Sequence, residues 1–486
     1  MIMRNIHLLC TLLAMTAAWI HFVPDLKAQF TPFKSRVDSC GHLDSVIENI
    51  MKTHQIPGVA ACAVKNGNVI WSGNYGYANI SQNIEVTDSI AFMIGSVSKT
   101  ITGTAFMQLV EDGLIGLDDD INDYLPFQVH HPLFPQTQIT PRMLLSHVSG
   151  IRDNWDILNT VHHPGGDSPI PLSVFTEGYL YQGGQYFDTD NFTSSAPATA
   201  FEYTNVGSTL IAYLIEVITT IPFEQYCQEN IFIPLEMSQT SWFLANLSLP
   251  CVAMPYTVNN GNFIPFGHYG SPVYPCGFLR TSALHLSNFL IAIMQNGVYN
   301  GIEILDSSTV ELMTTLHYPE IAPEYGLQFQ IIGGLIGHNG SGPGVNSRMV
   351  FNPNTKSGAI VIFNIENYPA LDLISNEVLQ YAEESLSSDW QLADRHGRSK
   401  PLLNQNHPNP FSRHTEISFD LSGEDVISLK VYDVVGNEIS VLVHGKKPCG
   451  KYRITFDSGD LPEGIYFYRL QSEYYSETKK MIITSQ

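Results

Sequence analysis

In the stretch "IGSVSKTITGTAFMQLVEDG", residues 94–113, a serine and a lysine stand three residues apart in a helical pattern. Residues at that spacing share a helix face, so the Lys99 amine can reach the Ser96 hydroxyl. Val97, Ile101, Ala105, Phe106, Met107, Leu109 and Val110 spread apolar character around almost the whole helix, with Ser, Thr and Gly in the gaps. A helix apolar on all sides is a buried one. Burial disfavours an ammonium, and so does the positive end of the helix dipole near Ser96; both lower the lysine toward the range of a usable base. A serine beside a neutral amine is an activated nucleophile, and its own N–H could help hold the oxyanion of an acyl-transfer intermediate. The alternative is a lysine snorkelling to solvent beside a capping serine, and Ser-x-x-Lys by itself is a weak signal.

The surrounding elements must position this pair. "GVAACAVKNGNVIWSGNYGYAN" reads as a strand, an Asn-Gly turn and a second strand, the pattern of a hairpin. "ITPRMLLSHVSGI" has Pro141 near a helix start and Gly150 just past its end, and "VGSTLIAYLIEVITT" is another apolar helix. Residues 152–200 are rich in Gly, Pro, Asp and Asn and read as a long elaborated region over a site. Two strand-like runs, "GLQFQIIGGLIGHNG" and "GAIVIFN", precede a helix over 370–385. Strands at both ends with helices between predict an α+β fold whose sheet is assembled from remote segments.

After Trp390 the character changes: "QLADRHGRSKPLLNQNHPNPF" is polar, charged and Pro-containing, as linkers are. Only short strands follow, "EISFDL", "VISLKVYD", "EISVLV", "KYRITFD", "IYFYRL" and "KKMIIT". In the first, Ile417, Phe419 and Leu421 alternate with Glu416, Ser418 and Asp420, the period of a half-buried strand. A small all-β sandwich is expected there.

At 486 residues the chain is too long for one ordinary core, and 44% hydrophobic against 14% charged residues is a packed, globular composition. A formal charge of −22 argues against binding nucleic acid or an anionic membrane surface. Arg4, an apolar run over 8–20 and Leu26-Lys27-Ala28 read as a secretory signal peptide over 1–28; a membrane anchor is the other reading of a run that is short for a span. With that peptide removed, no transmembrane segment is expected. Cys40, Cys62, Cys227, Cys251, Cys276 and Cys449 show no framework or zinc spacing, so isolated thiols are expected and no metal site.

Residues 44–364 resemble the class-C-type serine β-lactamase superfamily, which includes β-lactamases, D-alanyl-D-alanine carboxypeptidases, esterases and D-amino-acid peptidases. The resemblance rests on "FMIGSVSKTITGTAFMQLVEDGLIGLDDDINDYLP", "ITPRMLLSHVSGI", "FEYTNVGSTLIAYLIE", "IFIPLEMSQTSW" and "GHNGSGPG", in that order. It implies a β-lactamase/penicillin-binding-protein-like α+β fold, an antiparallel sheet beside a helical subdomain, and an acyl-enzyme mechanism without cofactor. Ser96 and Lys99 fill the nucleophile and base positions. Tyr203, as phenolate or by sharing protons with the lysine, fills that of the proton shuttle, and Asn205 holds lysine and substrate; alone, "YTN" would read as a helix cap. His338, Gly340 and Ser341 fill the third motif, with the Ser341 N–H as second oxyanion donor. Lys356-Ser357-Gly358 matches the lysine form of that motif by letter, but it follows "NPNT" at a turn where both side chains are expected to be solvated. His163 and His268 also begin His-x-Gly, without a strand before them. His147, Ser146 and Ser149 read as structural. A histidine at 338 is only partly charged near neutrality, so activity on an anionic substrate is expected to fall as pH rises through its titration.

"LLNQNHPNPFSRHTEISFDL", "LKVYDVVGNEI" and "LPEGIYFYRL" resemble the sorting domain of the bacterial type IX secretion system. That resemblance implies a partner, the secretion machinery, and delivery via the periplasm to the surface or exterior of a Gram-negative bacterium; an adhesion or carbohydrate-binding sandwich is the other reading. The expected organisation is a signal peptide (1–28), a hydrolase domain (35–390), a linker (391–401) and a sorting domain (402–486). The expected function is hydrolysis of D-amino-acid or cell-wall peptides or small esters, with β-lactams third. A non-turnover penicillin- or peptidoglycan-binding protein is the alternative.

Overall fold

Strand β1 (Gly58–Lys65) is buried along its whole length, and its two faces enter different cores. Val59, Ala61 and Ala63 pack with one cluster, whereas Ala60, Cys62 and Val64 pack with another. Side chains alternate along a strand, so a run of small apolar residues on both faces calls for a covered layer on each side. Asn66 and Gly67, with φ of 49° and 76°, turn the chain into β2 (Asn68–Asn79), paired antiparallel with β1. Two positive φ values in succession define the turn that Asn-Gly favours.

The computed structural model describes residues 41–385 and, beyond them, 402–484 apart from 422–424, 435–436, 448–449, 460 and 473–475. The expected signal peptide and linker lie outside the described residues, as do Cys40 and Cys449. Cys62, Cys227, Cys251 and Cys276 are free thiols, all buried except the half-buried Cys251.

The main sheet has seven strands. Besides β1 and β2 these are β3 (Ile84–Glu85), β4 (Gln330–Ile332), β5 (Leu335–Gly342), β6 (Val345–Asn352) and β7 (Ser357–Phe363). Their order is β4-β5-β6-β7-β1-β2-β3, with neighbours antiparallel. β1 pairs with β7 from Val59↔Phe363 to Lys65↔Ser357, so the sheet is built from both ends of the domain, as expected. The run "LQFQIIGGLIGHNG" divides into β4 and β5 because Gly333 and Gly334, at φ 61° and 84°, form a hairpin turn.

Helices α1 (Gly41–His54) and α5 (Tyr368–Glu384) cover one face of the sheet, where Ile47, Leu371, Ile374 and Val378 meet Val361 and Phe363. The opposite face meets a helical layer that includes α2 (Ser98–Glu111), α3 (Asn205–Thr219) and α4 (Ala283–Met294), through Ile101, Phe106, Leu210 and Leu290. The helix expected from Pro141 is only five residues long, Pro141–Leu145, capped by Thr140. The chain leaves it at once because His147 adopts a left-handed φ of 58°. Residues 152–200 hold two short helices, Trp155–Leu158 and Leu172–Leu180, among turns.

The C-terminal strands form a sheet of three and a sheet of four. Ile417, Phe419 and Leu421 of the first share a core with Leu429, Val431, Tyr468 and Met481 of the second, which makes the expected sandwich.

Candidate active site

Ser96 lies in a single 3-10 turn, Gly95–Val97, that runs directly into α2. Gly95 has φ +52°, and a Cβ added to it would lie 2.6 Å from the Ser341 backbone nitrogen. Only glycine fits a residue both left-handed and pressed against another backbone. Gly340 makes the reciprocal contact, since a Cβ there would collide with the Ile94 carbonyl oxygen and Ser347 Oγ. The two glycines thus let β5 touch the Ser96 turn and place the Ser341 amide beside it.

Lys99 is fully buried. Its Nζ lies 3.2 Å from Ser96 Oγ, 2.7 Å from Asn205 Oδ1 and 2.8 Å from the Cys276 carbonyl oxygen. Burial holds its pKa below the ordinary lysine value, opposed by Coulombic interaction with the ionisable groups of Cys276, Asp153 and Tyr325. The amide and carbonyl oxygens can only accept, so they take two N–H bonds. In a neutral amine the lone pair then falls on the remaining partner, Ser96.

Tyr203 also faces Ser96, and its ring centroid lies 4.8 Å from Lys99 Nζ. Burial pushes the phenol's pKa up, and the facing Ser96 hydroxyl only partly opposes it. The resting side chain is therefore a neutral phenol, not a phenolate.

Asn205 opens α3 behind the N-cap Thr204, whose Oγ1 accepts from Gly207 N at 3.2 Å. His338 projects from β5 on the same face as Gly340, whereas Asn339 points the other way and bonds Arg348 Nε at 2.7 Å. His338 is 1% exposed. Its Nδ1 lies 2.6 Å from the Asn339 carbonyl oxygen, which requires a proton on Nδ1. Burial and the neighbouring Lys99 pull its pKa down to about 3. The expected partial charge near neutrality is therefore corrected: His338 is neutral because its ring is buried away from the solvent that a charged imidazole needs. Ser341 Oγ donates to Glu366 Oε1 at 3.4 Å.

Lys356 sits exposed in a turn at φ 52°. Ser357, expected to be solvated, is instead buried and accepts from Lys65 Nζ at 2.9 Å. His163 is exposed, in a two-residue strand paired with Tyr269–Gly270. His147 is buried with its ring centroid 4.5 Å from that of Tyr203; its Nδ1 accepts the Thr204 N–H at 3.3 Å. Its pKa lies well below the histidine value because of burial.

Three participants have no sequence signal: Asp153, which bonds Asn205; the Cys276 carbonyl; and Tyr325, whose ring lies 6.1 Å from Tyr203 and 6.3 Å from His338. A backbone oxygen brought in from 177 residues away is invisible to motif reading.

A helix-borne Ser-Lys pair against the inner strand of an α+β sheet, faced by a tyrosine from a second helix start, defines the penicillin-binding-protein-like fold of serine hydrolases. The chain belongs to the Beta-lactamase family, which its residues 43–382 match. Residues 406–484 match the secretion system C-terminal sorting domain, of the type IX kind. The chain is 26% identical over 338 residues to the Bacillus subtilis protein PbpX, whose name puts it among the penicillin-binding proteins; the match covers 69% of this chain and 77% of PbpX. It is 23% identical over 334 residues to Protein flp of Staphylococcus aureus, spanning 68% of this chain but only 64% of that one. Among solved structures, the octameric penicillin-binding protein homologue from Pyrococcus abyssi superposes with a TM-score of 0.57 at 21% identity, over 92% of this chain and 96% of the other. The D-amino acid amidase from Ochrobactrum anthropi gives 0.54 at 21% identity, over 71% and 100%.

Proposed function

We propose that the protein is an exported serine hydrolase that cleaves amide or ester bonds through an acyl-enzyme on Ser96. The observation that carries this reading is the three-way environment of Lys99, which leaves the lone pair of a neutral amine no partner but the Ser96 hydroxyl. Lys99 takes the Ser96 proton as Oγ bonds to the substrate carbonyl carbon. The carbonyl oxygen, now negative, is held by the N–H groups of Ser96 and Ser341. Tyr203 gives its phenolic proton to the leaving amine or alcohol and recovers one from Lys99. Water then attacks the ester, its proton passing back through the same groups, and Ser96 is freed. Asn205 holds the lysine, and His338 and Gly340 shape the strand along which the acyl group lies.

D-amino-acid and cell-wall peptides come first as substrates, small esters next and β-lactams third. Neutral His338 offers no cation to a substrate carboxylate, which favours small esters and peptide bonds remote from a free carboxylate over carboxylate-bearing antibiotics. A non-turnover penicillin or peptidoglycan binder would have no need for both Lys99 and Tyr203 on Ser96. Export follows from the sorting domain, with the segment 1–28 as the proposed signal peptide. No single helix among the described residues is long and apolar enough to cross a membrane.

The test is an intact-mass time course with excess penicillin, beside steady-state turnover of a chromogenic ester. Ester turnover lost in Ser96→Ala, and an adduct on Ser96, support the reading. A wild-type protein that is acylated once and never turns over any ester would leave the binding protein.

A further inference from the structure

We infer that Asp153 is the positioning residue of this site: its carboxylate orients the Asn205 amide so that Oδ1, not Nδ2, faces Lys99. The inference rests on the acyl-enzyme reading above. The two ends of a carboxamide are almost the same size, so partners decide which way it points. Asp153 makes five hydrogen bonds to the start of α3. It accepts from Thr204 Oγ1 at 2.9 Å, Asn205 N at 2.9 and 3.0 Å, Val206 N at 3.1 Å and Asn205 Nδ2 at 2.8 Å. A carboxylate surrounded by donors has nothing to give, so Asn205 must turn its NH₂ toward it. Oδ1 is thereby left for Lys99. With the amide reversed, the Lys99 lone pair would be drawn to Nδ2 and away from Ser96.

The carboxylate also acts on Lys99 through its charge. Facing the lysine are the Cys276 thiol, the Tyr203 and Tyr325 phenols, and the His147 and His338 rings. Burial pushes the thiol and phenols up and the imidazoles down, so all five are neutral near pH 7. Burial raises Asp153 as well, but the N–H bonds of Asn205 and Val206 pull it back toward the ionised form. With five hydrogen-bond donors directed at its oxygens Asp153 is held as the carboxylate, and its charge opposes the fall of the lysine.

The test uses the full chain, a neutral chromogenic ester, and kcat and KM measured across pH for wild type, Asp153→Asn, Asp153→Ser and the double variant Asp153→Asn/Asn205→Asp, with Ser96→Ala as control. Asp153→Ser keeps a hydroxyl acceptor at the α3 N-terminus if the asparagine variant does not fold. Each single variant is expected to lose on the order of 10²-fold in kcat with little change in KM, and its acid limb is expected to move to lower pH. In the double variant a carboxylate again faces the lysine, so kcat is expected to recover relative to Asp153→Asn and the limb to move up. A folded single variant with unchanged kcat and limb would overturn the inference. So would a loss of kcat with an unmoved limb and no recovery in the double variant, which is what a purely structural residue gives. Ester turnover that survives Ser96→Ala would instead remove the hydrolase reading beneath it.

Discussion

Ser347 Oγ donates to the Ile94 carbonyl oxygen at 2.5 Å, tying β6 to the residue before the turn that holds Ser96. Gly340 lies between them on β5, which pairs Gly340 with Ser347, and it has no room for a side chain. The distance between the Ser341 amide and Ser96 is therefore set by what residue 340 lacks.

Gly340→Ala should separate β5 from this turn. We expect a destabilisation of about 1–3 kcal/mol and a kcat loss on the order of 10²-fold, because a displacement of about 1 Å at the reacting groups costs that much. Urea melts and ester kinetics measure both; unchanged kcat would mean that the strand does not set the oxyanion site.

Ser341→Pro removes the N–H assigned as the second oxyanion donor, and Ser341→Ala keeps it. Loss of one such donor costs on the order of 10²–10³-fold in kcat, expected for the proline variant and not for alanine. Acyl-enzyme formation at the wild-type rate in Ser341→Pro, followed by mass spectrometry, would remove this assignment.

His338 is held near pKa 3, against 6.5 for a free histidine. Between those values the unfolded chain binds a proton that the folded chain does not, so stability falls as pH drops through the window. The contribution approaches about 1.4 kcal/mol per pH unit for one proton. Thermal melts from pH 7 to 4 should show a shallower decline in His338→Gln. The ester rate should show no inflection near 6.5 attributable to this residue; one that disappears in His338→Gln would contradict its buried, neutral state.

Removing residues 402–486 should leave ester hydrolysis intact and hold the enzyme in the periplasm. Cell fractionation and activity assays decide this. Normal surface delivery of the shortened chain would sink the sorting role.

The Ser96–Lys99 pairing was legible because local spacing at the start of an apolar helix fixes which side chains share a face, whereas Tyr203 and Asn205 were reached only through the family resemblance, since "YTN" alone reads as a helix cap. The hairpin at Asn66-Gly67 and the alternation of Ile417, Phe419 and Leu421 were legible for the same local reason. Asp153 was not, because it lies in a loop, past the left-handed His147 and Gly150, whose path no periodicity describes. The Cys276 carbonyl carries no residue-type signal at all. Burial misled the reading in two places: His338 was expected to titrate near neutrality and Ser357 to be solvated, and only tertiary packing shows that neither meets water. The helix from Pro141 ended early because His147 takes a conformation that residue type alone does not announce.

The pairing of β1 with β7 sets a schedule as well as a shape. Ser96 and Lys99 lie far earlier in the chain than the strand bearing Ser341, and neither core closes until β7 pairs with β1. Contacts so distant in sequence form late. The Ser96–Lys99 pair therefore stays without its facing strand until nearly the whole catalytic segment has been made and folded.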